Sequence, residues 1–159
     1  SILDFKDEKN YNDRKVINMK KTTTQLLDIL KSKKDYSEFL SEEIGEMIFS
    51  SVSEYLNLLL SEKKLKKSDI IREGNLDRNY AYQIFNGTKE NPSRNKILMI
   101  AFGMHLNIEE TRKLLKICEL SDLYPRNPRD GAILFCLDKR KSLIDTNALL
   151  SELNLDILE

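Results

Sequence analysis

Apolar residues recur every three or four positions along most of the chain, which predicts amphipathic helices rather than strands. The most informative stretch is residues 65–87. Ile70 and Ile71 lie between charged residues there, which predicts a short helix with one buried stripe. A second apolar stripe at helical spacing predicts another helix over about 78–85. The residues of this second stripe are Ala81, Ile84 and Phe85.

The residues between these two helices favour a sharp change of chain direction. Gly74 and Asn75 both tolerate a left-handed backbone, so this pair can end the first helix. Leu76 can then fill the space between the helices. Asp77 is a favourable N-cap, because its carboxylate can accept hydrogen bonds from the first amides of the second helix. We therefore expect a helix-turn-helix unit over residues 65–87.

This unit resembles the XRE type of helix-turn-helix, the Cro-like and phage-repressor-like DNA-binding domains of bacteria and phages, over about residues 52–120. The matching positions are Leu65, Ile70, Asn75, Leu76, Ile84, Gly87 and Pro92, followed by an apolar helix. The chain departs from the family at Ile71, where a small residue is usual, at Lys67, where Gln is frequent, and at Asn75, where Gly is frequent. The resemblance implies double-stranded DNA as the partner and base contacts from the second helix. The positions that it implies are Arg78, Asn79 and Gln83.

The side-chain chemistry of the second helix leads to the same hypothesis. Arg forms two hydrogen bonds with guanine, and Asn or Gln does so with adenine. The start of the second helix in such a unit enters the major groove. The residues predicted to contact bases are Arg78, Asn79, Tyr82 and Gln83. The residues predicted to contact phosphates are Lys66, Lys67, Ser68, Lys89, Arg94 and Lys96.

The rest of the chain is expected to form helices around this unit, so the predicted fold class is all-α. It is a repressor-like five-helix helix-turn-helix domain with an N-terminal helical hairpin and a C-terminal two-helix extension. The predicted segments are a flexible N-terminal arm (1–21), an acidic helical hairpin (22–50), the helix-turn-helix domain (51–120) and the extension (121–159). The extension either completes the core or forms a dimer surface.

The acidic hairpin has an uneven charge distribution. Residues 35–54 contain six acidic residues and no Lys or Arg. A helix with apolar residues from Tyr36 to Ile48 is predicted within this stretch. A solvated helix face explains the pattern. The alternative is that hairpin 35–54 contacts a basic surface, either of this chain or of a protein partner, and modulates access to DNA.

The overall charge does not favour nucleic-acid binding, whereas the local charge does. The 159 residues include 26 Lys or Arg and 26 Asp or Glu, so the formal net charge is +0. Residues 62–96 alone contain nine Lys or Arg and five Asp or Glu, a local excess of four positive charges. Affinity for DNA depends mainly on the charges that lie near the phosphates.

Several other functions are disfavoured by the residues present. Cys118 and Cys136 lie in apolar helical patterns and are interpreted as small buried hydrophobes in a reducing compartment. A single His and the lack of a Cys/His cluster argue against a metal site. No nucleophile–base pair or glycine-rich phosphate loop is visible, so we expect neither an enzyme nor a cofactor. No apolar run approaches the roughly 20 residues that span a bilayer, and no signal-peptide pattern occurs at the start. We therefore expect a cytoplasmic protein without membrane contact.

The leading hypothesis is a sequence-specific transcriptional regulator that reads the major groove with the helix at 78–85. A homodimer is expected, because a single module binds DNA weakly at cellular salt. The alternative is a helical protein–protein interaction module, such as an antitoxin or a signalling adaptor, with the same fold. The neutral net charge and the acidic hairpin favour this alternative.

Overall fold

The computed structural model describes residues 21–47, 49 and 51–159, and these ranges contain nine α-helices, one short 3₁₀-helix and no strand. The α-helices are α1 (Thr23–Ser32), α2 (Tyr36–Glu42), α3 (Val52–Glu62), α4 (Lys67–Glu73), α5 (Arg78–Phe85), α6 (Arg94–Gly103), α7 (Ile108–Ile117), α8 (Pro128–Asp138) and α9 (Leu143–Glu152). The 3₁₀-helix covers Ile44–Glu46. The all-α class is thereby confirmed for these ranges. The arm predicted at 1–21 lies outside the described residues, apart from Lys21.

The chain divides into two compact units, one ending at residue 48 and the other beginning at residue 49. In the first unit α1 packs against α2. A capping box starts α1, because the Thr22 side chain accepts a hydrogen bond from the Gln25 amide and the Gln25 side chain accepts one from the Thr22 amide. Asp35 caps α2 by accepting a hydrogen bond from the Ser37 amide. Short local signals therefore define both helices of this unit.

The second helix of the acidic hairpin is shorter than its apolar pattern predicts. α2 ends at Glu42, and the chain continues as the 3₁₀-helix and then as extended backbone at Met47. The expectation of one helix through this region was wrong for its last turn. Gly45 lies within the segment, and glycine destabilises a helix interior by about 1 kcal/mol relative to alanine.

Helix α6 forms the centre of the second unit. All residues from Ile97 to Gly103 are buried, so this helix is apolar on every side. It packs against α4, α7 and α9. Helix α3 packs against α5 and α7, while α8 packs against α7 and α9. The C-terminal extension thus contributes side chains to the same core, including the fully buried Ile133 and Leu150.

Helices α4 and α6 approach each other at two glycines. A Cβ atom on Gly103 would lie 2.6 Å from the carbonyl oxygen of Ile70 and 3.1 Å from the amide nitrogen of Gly74. A Cβ atom on Gly74 would lie 2.9 Å from the carbonyl oxygen of Met99. Gly74 has a φ of −85°, so it is required for close packing and not for a left-handed turn. Of the pair predicted to reverse the chain, only Asn75 is left-handed, with a φ of 47°.

Candidate nucleic-acid interface

The turn between α4 and α5 is closed by three backbone hydrogen bonds. The amide of Gly74 donates to the carbonyl of Ile70 at 2.8 Å, that of Asn75 to Arg72 at 3.2 Å, and that of Leu76 to Ile71 at 2.9 Å. These bonds satisfy carbonyls at the end of α4 that the helix itself leaves unpaired. The Leu76 side chain is only 7% exposed, so it fills the space between the helices as expected.

Helix α5 is fixed at both of its ends. At the start, the Asp77 carboxylate accepts a hydrogen bond from the Tyr80 amide at 2.9 Å, which makes Asp77 the N-cap that the sequence predicts. At the other end, the side-chain amide of Asn57 in α3 donates to the carbonyl of Phe85 at 2.8 Å. The first contact fixes the start of α5, and the second attaches its end to α3.

The two faces of α5 differ sharply in exposure. Ala81 and Ile84 have no exposed surface, and Phe85 is only 2% exposed. The outward side of the helix carries polar and aromatic side chains. The exposed residues are Arg78, Asn79, Tyr82 and Gln83, which are the four predicted base contacts. One short helix therefore brings all four together at the surface.

Two cations lie against the ring of Tyr82. The Lys67 Nζ atom is 5.6 Å and the Arg78 Cζ atom 5.5 Å from the ring centroid. Lys67 also lies 5.5 Å from the centroid of Phe85. A cation at this distance over an aromatic face is attracted by the electron density of the ring. Lys67, from the start of α4, thereby joins the outward face of α5.

A second aromatic ring of α5, that of Tyr80, also has two cations near it. The Nζ atoms of Lys89 and Lys96 are each 5.9 Å from the ring centroid of Tyr80. Lys89 belongs to the loop after α5, and Lys96 to the first turn of α6. Tyr80 is not among the residues that the sequence predicts for this surface. The available signal was a fifth polar or aromatic residue on the same short helix.

The remaining predicted phosphate contacts lie in different surroundings. Lys66 and Ser68 are exposed at the start of α4, and Lys67 is half-buried. Arg94 differs from these residues, because four of its five N–H donors already form hydrogen bonds with other groups of this chain. The acceptors are the Asp130 carboxylate and the backbone carbonyls of Ser121 and Asp122. A phosphate contact by Arg94 stays a prediction, for which only one N–H donor is left unless these bonds are exchanged.

Most of the cations between residues 62 and 96 form no ion pair with a carboxylate in the part of the chain that the structure describes. Three of the nine Lys and Arg residues between 62 and 96 form ion pairs with carboxylates. These pairs are Lys63–Glu110, Arg72–Asp69 and Arg94–Asp130. The other six form no ion pair with a carboxylate within residues 21–47, 49 and 51–159. These six are Lys64, Lys66, Lys67, Arg78, Lys89 and Lys96. Their charges are available to an anionic ligand.

Metal ligands, membrane-spanning helices and reactive thiols are the features that would indicate another kind of site. Among the described residues, no three His, Cys, Asp or Glu side chains converge to hold a metal ion. None of the helices in these ranges combines the length and the hydropathy that a membrane crossing demands. Cys118 and Cys136 are free thiols, and burial raises the pKa of Cys118 to about 11. Such a thiol is mostly protonated at neutral pH and therefore a weak nucleophile.

Comparison of the chain with protein-family models, with curated proteins and with solved structures finds no match. Its function must therefore be inferred from the surface of α4 and α5 and from the chemistry of the residues there.

Proposed function

We propose that the second unit is a sequence-specific DNA-binding regulator, in which α4 and α5 form a helix-turn-helix of the XRE type and α5 reads the major groove. The observation that carries this proposal is the two-sided character of α5. One face is anchored in the core by Ala81, Ile84 and Phe85, and the other presents only exposed polar and aromatic side chains. A helix can enter a groove about 12 Å wide only if one of its faces stands clear of the protein.

The exposed side chains have the chemistry that base recognition requires. Arg78 and Asn79 begin α5, the end that enters the major groove in helix-turn-helix complexes. Arg78 suits guanine, and Asn79 and Gln83 suit adenine, since each can form two hydrogen bonds with that base. Tyr82 is 38% exposed between two cations, where it can contact a thymine methyl group or a sugar.

The cations around α5 are proposed to bind the phosphate backbone. Lys66, Lys67 and Ser68 lie before the reading helix in the chain, while Lys89 and Lys96 follow it. The aromatic rings of Tyr80 and Tyr82 hold three of these four lysines near α5. Contacts of this kind position a protein on the duplex without reading its sequence.

The proposal is tested by selecting duplexes from a random pool with the full chain and measuring affinity for the selected site and for a scrambled duplex. We expect enrichment of a defined site. Arg78→Ala should weaken binding to that site by roughly 1–3 kcal/mol and relax the preference at one base position. Arg126→Ala removes an exposed charge outside the interface and serves as the control. Equal weakening of all sequences would make Arg78 a phosphate contact, and no enrichment at all would refute the proposal.

A second candidate function, a protein–protein interaction module, is favoured by the first unit. Leu27, Leu30 and Tyr36 are 48%, 40% and 62% exposed, which is unusual for large apolar side chains so close together in the chain. A protein partner that covers them would bind α1 and the start of α2. Two results together would support this alternative. The chain would shift no duplex DNA at low salt, and the double variant Leu27→Ser/Leu30→Ser would lose binding to a protein partner.

The acidic charges of the hairpin contribute less to such an interface than the sequence indicates. Lys33 Nζ lies 2.5 Å from Glu42 Oε2 and 3.5 Å from Glu38 Oε1, and Lys21 pairs with Glu43. The hydrogen bond with Glu42 raises the pKa of Lys33 above its ordinary value. Both lysines precede the acidic stretch 35–54 in the chain, so a count restricted to that stretch misses them. An apolar partner surface therefore suits this unit better than a basic one.

A further inference from the structure

The segment that follows α9 is held by hydrogen bonds to its backbone. The side-chain amide of Asn147 in α9 donates to the Leu158 carbonyl at 2.9 Å and accepts from the Leu158 amide at 2.8 Å. In α8, Arg129 donates to the Asp156 carbonyl from Nε at 2.7 Å and to the Ile157 carbonyl from Nη2 at 3.2 Å. Two side chains of the helices therefore bind three consecutive carbonyls and one amide of the segment.

Asn147 pairs with Leu158 as a residue of one β-strand pairs with another. The amide and the carbonyl of Leu158 point to the same side and both bond to one partner residue, as they do in an antiparallel strand pair. Asn147 thus recognises extended backbone and not a particular side chain. Among residues 156–158 only Leu158 is buried, with 1% of its surface exposed. Main-chain hydrogen bonds for affinity and a side-chain pocket for specificity are a common mode of peptide recognition.

The groups that hold the segment are anchored without it. Arg129 Nη2 also donates to Asn95 Oδ1 at 3.0 Å, and Asn95 belongs to the central helix α6. Helix α9, which carries Asn147, packs against both α6 and α8. The segment itself joins α9 through Asn154, which is left-handed with a φ of 56°.

Release of the segment would expose one buried leucine and four backbone groups, while its residues would regain their conformational freedom. The helices that carry Arg129 and Asn147 would keep their own contacts. We therefore expect the segment to open locally, at a lower free energy than the unfolding of the second unit.

We propose that Arg129, Asn147 and the pocket that holds Leu158 form a binding site for an extended segment of a partner protein. The chain's own residues 156–158 occupy this site and compete with the partner. The partner segment has a leucine with a free backbone amide in the pocket, preceded by two residues of any kind, since only their carbonyls are bound. The site lies on α8 and α9 and shares none of the predicted base or phosphate contacts, so the inference does not depend on the proposed DNA-binding function.

The first test measures binding of a fluorescent peptide with the sequence of residues 153–159 to the full chain by anisotropy. Leu158→Ser should release the chain's own segment and so bind the peptide about tenfold or more tightly than the wild type, in which the site is mostly occupied. Leu153→Ser is the matched control, because Leu153 is 51% exposed in the same part of the chain and should bind as the wild type does. No binding by Leu158→Ser, or equal binding by Leu158→Ser and the wild type, would overturn the proposal.

The second test asks whether the site reads backbone. In the Leu158→Ser chain, a peptide with alanine in place of Asp156 and Ile157 should bind within about threefold of the original. A peptide N-methylated at the position of Leu158 should bind about tenfold more weakly, because it lacks the amide proton that Asn147 accepts. Adding Asn147→Ala to the chain should weaken the original peptide to a similar extent. An N-methylated peptide that binds as well as the original would contradict the assigned geometry.

The third test uses the wild type alone, so it holds even if Leu158→Ser fails to fold by circular dichroism. The Leu158 amide should exchange its hydrogen about a hundredfold or more faster than the amide of Ile100 in α6, because the segment opens locally. Equal protection of the two amides would show that the segment leaves only when the unit unfolds, which would overturn the proposal. Sedimentation velocity covers the remaining occupant: two copies that exchange the segment, with no peptide bound by Leu158→Ser, would also overturn it.

Discussion

Arg94 and Asp130 form a two-pronged ion pair that joins the start of α6 to the start of α8. The distances are 2.9 Å from Arg94 Nη1 to Asp130 Oδ1 and 3.0 Å from Arg94 Nη2 to Asp130 Oδ2. Arg94 also donates to the carbonyls of Ser121 and Asp122, and the Tyr124 amide donates to Asp130. The connector between α7 and α8 is thereby fixed to the core, which assigns Arg94 a structural role.

Removing the carboxylate of this pair should destabilise the second unit. We expect Asp130→Ala to lower the free energy of unfolding by about 3 kcal/mol, because it leaves the partly buried guanidinium of Arg94 without its counter-charge. Asp138→Ala is the control, since the Asp138–Lys139 pair is exposed and should contribute less than about 1 kcal/mol. Urea unfolding of both variants measures the difference. Equal effects would show that the Arg94–Asp130 pair contributes no more than a surface pair.

The same pair predicts a dependence of stability on pH. Burial by itself raises the pKa of Asp130, but the hydrogen bonds from Arg94 and from the Tyr124 amide outweigh it and hold the pKa below the ordinary value of 3.8. A carboxyl whose pKa is depressed in the folded state contributes stability that is complete above its unfolded pKa. That contribution is lost as the pH falls through the folded pKa.

We therefore expect the wild type to exceed Asp130→Asn in unfolding free energy by a constant amount at neutral pH and down to about pH 5. The difference should shrink below the ordinary pKa of 3.8. Urea titrations at a series of pH values measure it. A difference that stays constant into strong acid would contradict the assigned shift.

The sequence predicted α5 and its caps well because the signals that define this helix are local. Asp77 starts it, the stripe of Ala81, Ile84 and Phe85 sets its buried face, and it ends at Phe85 as expected. Exposure of Arg78 then follows from helical geometry alone. What these exposed side chains bind stays a prediction, since the same pattern suits other partners.

The contacts that the sequence did not reveal join residues far apart in the chain. In the sequence Arg94 resembles a surface cation, and only the folded structure shows its ion pair with Asp130 of α8. Lys96 likewise resembles a surface cation, and only the structure shows that it lies near the ring of Tyr80. The helical pattern of α6 marks Gly103 as a weak position, whereas packing makes it a required one. Each of these contacts depends on how helices pack, which residue spacing within one helix does not determine.

Gly103 gives a direct test of the close approach between α4 and α6. Gly103→Ala places a Cβ atom 2.6 Å from a carbonyl oxygen of α4, and backbone atoms cannot move aside as a flexible side chain can. We expect a net loss of about 1–3 kcal/mol in unfolding free energy, even though alanine favours the helix by about 1 kcal/mol. Thermal unfolding measures the loss.

The matched control is Gly131→Ala in α8, where the new Cβ atom would meet a single close neighbour, the Pro125 carbonyl oxygen at 3.0 Å. That oxygen needs to move by only a few tenths of an ångström, so the gain in helix propensity should offset most of the cost. If the two variants were equally stable, α4 and α6 could not be as closely packed as described.

Lys89 and Lys96 allow the proposed phosphate contacts to be distinguished from base contacts. Both lysines flank Tyr80 without a carboxylate partner in the described part of the chain, so each can release one counterion from DNA. Lys89→Ala or Lys96→Ala should weaken binding to selected and scrambled duplexes alike and reduce the slope of log affinity against log salt by about 1. Lys139→Ala removes an exposed charge at the end of α8 and should leave the slope unchanged. Fluorescence anisotropy over a series of salt concentrations measures all three variants. A loss of affinity confined to the selected duplex would identify the substituted lysine as a base contact. An unchanged salt slope in both variants would show that neither Lys89 nor Lys96 contacts DNA phosphates.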